Sequence, residues 1–104
     1  MTYALRMAKI GAEEAQKRIG ELQGWRLNGD TITRQFTFAG FPDAIAFVVR
    51  LGFAAESVDH HPDLLINYKR VTVSFSTHSE GGLTQKDFDG ARSATEIAAA
   101  GGAK

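Results

Sequence analysis

Cysteine is absent from the 104-residue chain, and proline occurs only twice. Without a thiol there is no disulfide framework, no cysteine nucleophile and no cysteine-ligated zinc or iron–sulfur cluster. The absence is compatible with a reducing cytosol, and the fold has to rest on its core. An excess of either charge is also missing: 12 Lys and Arg face 12 Asp and Glu, so the formal net charge is zero. That balance lacks the electrostatic footprint of a phosphate-backbone binder, and nucleic acid is not an expected partner. Long apolar runs are missing too. The opening MTYALRMAKIGAEEA has no stretch long enough for a signal-peptide core, and charges interrupt every segment that would otherwise span a bilayer. No membrane association is expected, and the cytoplasm is the expected location. No repeat, low-complexity tract or Pro/Ser-rich linker divides the chain; only the first ten residues and Gly101-Gly102-Ala103-Lys104 read as loose ends.

What is present is an ordinary globular composition, 43% hydrophobic and 23% charged. A chain of this length buries roughly two-thirds of its unfolded surface, enough for one core. A single domain over residues 1–104 is expected, with its core at about 11–100. From Gly11 to Gln23, Ala12, Ala15, Ile19 and Leu22 recur at helical spacing, and Gly24 ends the pattern. Trp25-Arg26-Leu27 and the run from Thr31 to Phe38 flank Asn28-Gly29-Asp30, a hairpin signal. In the second strand Ile32, Arg34, Phe36 and Phe38 share one face and Thr31, Thr33, Gln35 and Thr37 the other, the pattern of a sheet covered on one side.

Pro42 suits a first helical turn, and the helix it opens runs from about Phe41 to Val58 and is apolar nearly all round. Such a helix is buried on two sides, and a small sheet has only one side to offer it. A homo-oligomer, dimer or tetramer, built through this helix is expected. After Pro62, the runs from Leu64 to Lys69 and from Val71 to His78 read as strands, the latter with Val71, Val73, Phe75 and Thr77 inward and Thr72, Ser74, Ser76 and His78 outward. Gly81-Gly82 breaks the pattern, and Thr84 caps a last helix with Asp87 three residues on. The order is α-β-β-α-β-β-α: an α+β, two-layer fold with a four-stranded antiparallel sheet and three helices on one face.

The histidines all fall at element boundaries, His60 and His61 at the exit of the long helix and His78 before the Gly-Gly break. An imidazole donates and accepts protons near neutrality, as addition or elimination of water requires. Glu56, one helical turn before His60, and Asp87 are carboxylates placed to orient an imidazole or hold a donor-rich heterocycle. Each residue also has a purely structural reading. A histidine pair at a helix end caps carbonyls, Asp87 stabilises its own helix through the dipole and free amides, and Glu56 is a solvated residue paired to Arg50 or His60. A three-histidine metal site is disfavoured, because adjacent His60 and His61 point in different directions and the i, i+4 ligand spacing is missing. There is no Gly-x-Ser-x-Gly nucleophile turn, and Gly81-Gly82 lacks the Lys-Ser/Thr of a phosphate loop.

The segment Glu56-Ser57-Val58-Asp59-His60-His61-Pro62-Asp63, followed by Tyr68, Val71, Val73, Thr77-His78, Gly81-Gly82-Leu83-Thr84 and Asp87, resembles the pterin-4a-carbinolamine dehydratase family. Upstream, Glu13-Glu14, Gly24-Trp25, the Ile32-x-Arg34-x-Phe36-x-Phe38 strand and Phe41-x-x-Ala44 fit as well, so the resemblance covers about residues 11–97. It implies a cytoplasmic hydro-lyase that removes water from 4a-hydroxytetrahydropterin to give quinonoid dihydropterin, the recycling step for tetrahydrobiopterin, with no metal or organic cofactor. It also implies the same four-stranded, three-helix fold and oligomers around the long helix. Carried over position by position, His60, His61, His78 and Asp87 are the catalytic set, and Glu56, His60, His61, Pro62, Thr77 and His78 hold the pterin. His61 and His78 are the expected proton carriers, with His60 positioning or sharing the role. Family members in animals also bind a transcription factor through the long-helix surface, so a non-enzymatic dimerisation partner is the alternative role. Gly11 where a Ser or Thr cap is usual, and Gly90 and Arg92 inside the last helix, depart from the family pattern and predict loosely held end helices.

Overall fold

The computed structural model describes residues 8–104. The element order is α1 (Ala12–Ile19), β1 (Arg26–Asn28), β2 (Thr31–Thr37), α2 (Phe41–Ser57), β3 (Asp63–Asn67), β4 (Arg70–Phe75), a 3-10 turn (His78–Glu80) and α3 (Gln85–Ala100). The strands form one antiparallel sheet in the order β1-β2-β4-β3, as the α+β reading expects. Ile32 and Phe36 on β2 and Val71, Val73 and Phe75 on β4 are buried and share one core with Phe47 and Leu51 of α2, Phe88 and Ala91 of α3 and Ala15 and Ile19 of α1. The opposite sheet face is polar: Thr33 Oγ1 lies 2.9 Å from Ser74 Oγ across the β2–β4 pair.

Several element ends differ from the sequence reading. The first helix stops at Ile19 rather than Gln23, because Gly20 is a poor helix former and the chain turns through residues 20–23. Leu22 is still buried, delivered by a turn bond from its N–H to the Ile19 carbonyl at 3.1 Å, whereas Ala12 is exposed. Tyr68, at φ 56°, and Lys69 form the β3–β4 turn, so β3 ends at Asn67. Strand β4 ends at Phe75, and His78 opens a 3-10 turn instead of closing a strand. The terminal segment is not loose: Gly102 is left-handed at φ 84°, Ala103 N–H returns to the Ala98 carbonyl at 3.0 Å, and Lys104 N–H bonds the Thr37 carbonyl at 2.9 Å. Of the first ten residues, 1–7 lie outside the described part, and Ile10 N–H bonds the Leu83 carbonyl at 2.7 Å.

Helix α2 buries Ala44, Phe47, Leu51 and Ala55 against the core. On its other side Phe41, Val49 and Phe53 are exposed, Phe53 by 77%. A single chain therefore covers only one side of this helix.

Gly90 reverses the expectation of a weakened last helix. A Cβ added there would meet the Phe75 ring at 2.5–3.0 Å, so the glycine is what lets α3 lie directly on that ring. Gly90→Ala is expected to destabilise the protein by about 1–3 kcal/mol through overpacking, although alanine is the better helix former. Gly52→Ala, on the exposed side of α2 with nothing within 4 Å, should instead stabilise by about 0.5–1 kcal/mol. Urea midpoints at unchanged m-value check both signs.

Candidate active site

The site begins where α2 ends. Asp59 adopts the left-handed region at φ 52°, its N–H bonds the Glu56 carbonyl and the His60 N–H bonds the Ala55 carbonyl, each at 3.2 Å. This double closure is a Schellman-type cap, in which the residue after the left-handed position is fixed relative to the helix axis. His60 occupies that position. Its ring lies nearly parallel to Phe75, with centroids 6.0 Å apart and planes at 17°, and its Nε2 is 2.6 Å from Asp87 Oδ1.

Asp87 is fully buried in the first turn of α3. Its Oδ2 accepts from the Thr84 N–H at 2.9 Å and from the Thr77 hydroxyl at 2.7 Å, and the Thr77 and Thr84 hydroxyls lie 2.9 Å apart. The capping-box reading of Thr84 and Asp87 thus holds, and the same carboxylate also faces an imidazole. Its two oxygens divide the tasks: Oδ2 closes the helix end, and Oδ1 orients His60.

His61 points away from this network, as adjacent residues do, and its Nε2 lies 2.7 Å from Glu56 Oε1. Glu56 therefore partners His61, not His60 or Arg50, because the left-handed Asp59 turns the chain before a further helical turn forms. Both members are exposed, so the pair itself contributes only about 0–1 kcal/mol. His78 sits on a small loop closed by reciprocal Thr77–Gly82 backbone bonds of 3.1 and 3.3 Å, with Gly81 at φ 75°. Its imidazole is exposed and forms no hydrogen bond to any described residue. Pro62 links His61 to β3, and the Thr77 side chain is turned inward to Asp87 and Thr84. Among the described residues no three His, Asp or Glu side chains are gathered so as to hold a metal ion.

A cleft of about 260 Å³ opens between α2 and α3, lined by Leu51, Ala55 and Val58 from one side, Gly90 from the other, and by Phe75 and His60. Sequence reasoning found the histidines and carboxylates but not the parts played by Phe75 and Gly90. Phe75 read as one more inward strand residue, and no periodic signal marks a close approach between a ring and a distant glycine.

An α+β domain that sets one buried imidazole–carboxylate pair where α2, β4 and α3 meet, and a second, exposed pair at the exit of α2, carries groups that can exchange protons. The profile of the family described as Pterin 4 alpha carbinolamine dehydratase matches residues 8–97. A Roseiflexus sp. (strain RS-1) protein named provisionally as a pterin-4-alpha-carbinolamine dehydratase is 47% identical over 89 residues, covering 86% of this chain and 96% of its own length. A Sulfolobus acidocaldarius protein with the same provisional name is 39% identical over 86% of this chain and 98% of its own. The crystal structure of a transcriptional coactivator/pterin dehydratase from Brucella melitensis superposes with a TM-score of 0.82 at 37% identity, covering 86% of this chain and 98% of that one. A pterin dehydratase-like RuBisCO assembly factor of the alpha-carboxysome shares the fold, with a TM-score of 0.63 at 19% identity over 73% of this chain and 90% of that one. The chain belongs to the pterin-4-alpha-carbinolamine dehydratase family.

The Asp59 cap carries a consequence for stability. Asp59→Val places a β-branched residue in the left-handed region and is expected to cost about 1–2 kcal/mol. Asp59→Asn, whose side chain tolerates that region, should stay within about 0.5 kcal/mol of the parent. Thermal unfolding of the two variants side by side checks the contrast.

Proposed function

We propose that this protein removes water from 4a-hydroxytetrahydropterin to give quinonoid dihydropterin, in tetrahydrobiopterin recycling, by histidine acid/base catalysis. The observation that carries the reading is the His60–Asp87 contact at 2.6 Å, within a chain of the dehydratase family and beside the His61–Glu56 pair. Protonation of the C4a hydroxyl lets it depart as water. The N5–H bond gives its proton to a base, and its electron pair forms the C4a–N5 double bond. One acid and one base are needed, and the overall proton count is unchanged apart from the water released.

His61 and His78, both exposed, are assigned to the two proton transfers. His60, oriented by Asp87, positions the pterin or shares the transfer. Glu56, Pro62 and Thr77 complete the pterin-holding set, Glu56 as an acceptor for a donor-rich ring edge and Thr77 through Asp87. The site residues require no metal or organic cofactor for this chemistry. The whole chain is taken as one domain, acting in the cytoplasm. Among the described residues no helix is long and apolar enough to cross a membrane, and this accords with that location.

The exposed Phe41, Val49 and Phe53 support a homo-oligomer formed through the outer face of α2. The same face supports the second reading, a dimerisation partner for another protein, in keeping with its likeness to the Brucella melitensis transcriptional coactivator/pterin dehydratase.

Absorbance-followed formation of quinonoid dihydropterin, with and without protein, tests the activity, since the dehydration also proceeds unaided. Acceleration over buffer is expected, and His61→Ala and His78→Ala should each lose about 10²–10⁴-fold of it. Folded variants as fast as the parent would overturn the assignment of proton carriers, and a parent no faster than buffer would leave the partner role as the leading one. Phe53→Asp should reduce the oligomer to smaller species in sedimentation analysis; an unchanged mass would exclude this face as the interface.

A further inference from the structure

With Asp87 as a carboxylate, the hydrogen bonds around it have one consistent set of directions. The Lys86 N–H can only donate, and it gives to Thr84 Oγ1 at 3.3 Å. The Thr77 hydroxyl has its hydrogen on Asp87 Oδ2, so the 2.9 Å contact between the two threonines is made by the Thr84 hydroxyl donating to Thr77 Oγ1. With the Thr84 N–H also on Oδ2, every donor in the group points toward the carboxylate. The remaining oxygen, Oδ1, is an acceptor for whatever His60 presents, and what lies 2.6 Å away is Nε2.

The other ring nitrogen, Nδ1, has no hydrogen-bond partner among the described residues. Among the described residues every buried side-chain nitrogen or oxygen has a hydrogen-bond partner. Nδ1 of His60 has none, and so it is not a buried atom even though the side chain is only 12% exposed. Phe75 lies nearly parallel to the ring, with centroids 6.0 Å apart, and His60 lines the cleft between α2 and α3.

We propose that Thr77 and Thr84 are positioning residues for His60: by holding Asp87 with Oδ1 as its free acceptor, they keep the imidazole hydrogen on Nε2 and leave Nδ1 as the nitrogen that meets the substrate. The neutral ring then presents a lone pair at Nδ1, and the protonated ring presents an N–H there. Nδ1 is thus the atom through which His60 positions the pterin or shares its proton, while Nε2 stays on Asp87. This deepens the dehydratase reading and rests on it for the identity of the substrate. The placement of the hydrogen stands on the hydrogen bonds alone.

The test is ¹⁵N-detected NMR of the histidine rings of the full chain, alongside dehydration kinetics of Thr77→Val and Thr77→Ser. In the neutral ring, His60 Nε2 is expected to give the signature of a protonated nitrogen and Nδ1 that of an unprotonated one. Thr77→Val, which removes one donor to Oδ2, should lower kcat several-fold and mix the two tautomers. Thr77→Ser, which keeps the hydroxyl, should restore both. A neutral His60 with its hydrogen on Nδ1, or a folded Thr77→Val with the parent's kcat and tautomer, would overturn the proposal. If the parent protein does not accelerate dehydration at all, the substrate assignment fails, while the NMR result still decides the placement of the hydrogen. Should Thr77→Val fail to fold, the parent spectrum and Thr77→Ser carry the decision.

Discussion

The structure depends on a buried carboxylate. Taking Asp87 out of water is costly unless hydrogen bonds replace the lost solvation. Here the Thr84 amide, the Thr77 hydroxyl and the His60 ring replace it. Its place in the first turn of α3 adds the favourable field of the helix N-terminus. These partners come from the end of α2, the loop after β4 and the start of α3, so satisfying one side chain brings three separate segments to one point. Such a network is worth most when complete, because any donor removed leaves a buried acceptor unpaired.

Packing supplies the second constraint. The Phe75 ring lies between α3, which approaches it at Gly90, and the His60 ring stacked nearly parallel to it. Trp25 touches the same ring, with centroids 6.2 Å apart, and anchors itself to α3 through a 2.9 Å bond from its indole N–H to Thr95. The imidazole therefore rests on the core rather than on a mobile loop. His61 and His78, by contrast, are exposed, His61 paired with Glu56 and His78 without a hydrogen-bond partner among the described residues.

Most of this was legible in the residues, and the parts that were not have physical reasons. The alternation in β2 and β4, Pro42 at the head of α2 and the Thr84/Asp87 cap all express local preferences, and the elements formed where those preferences pointed, while the hairpin turn falls on Gly29-Asp30, with Asn28 still paired to Thr31. Boundaries failed where a turn mimics a regular element. Leu22 keeps the helical face through a turn bond, and Thr77 remains buried in phase with β4 after the ladder has ended. The pairing of Glu56 was read for a continuing helix, and the left-handed Asp59 redirected it to His61. Gly90 read as a weak point, since local propensity carries no trace of a ring contributed by a strand 15 positions earlier in the chain.

The most direct test of the account is an NMR titration of the intact protein with an oxidised, non-reacting pterin, following the histidine ring and backbone signals together. Binding at the proposed site predicts the largest shifts at His60, His61 and His78, with Glu56 and the Thr77–Gly82 loop moving in step. Shifts centred elsewhere, for instance on the cleft lined by Trp25, Arg34 and Arg92, or none at saturating ligand, would contradict it.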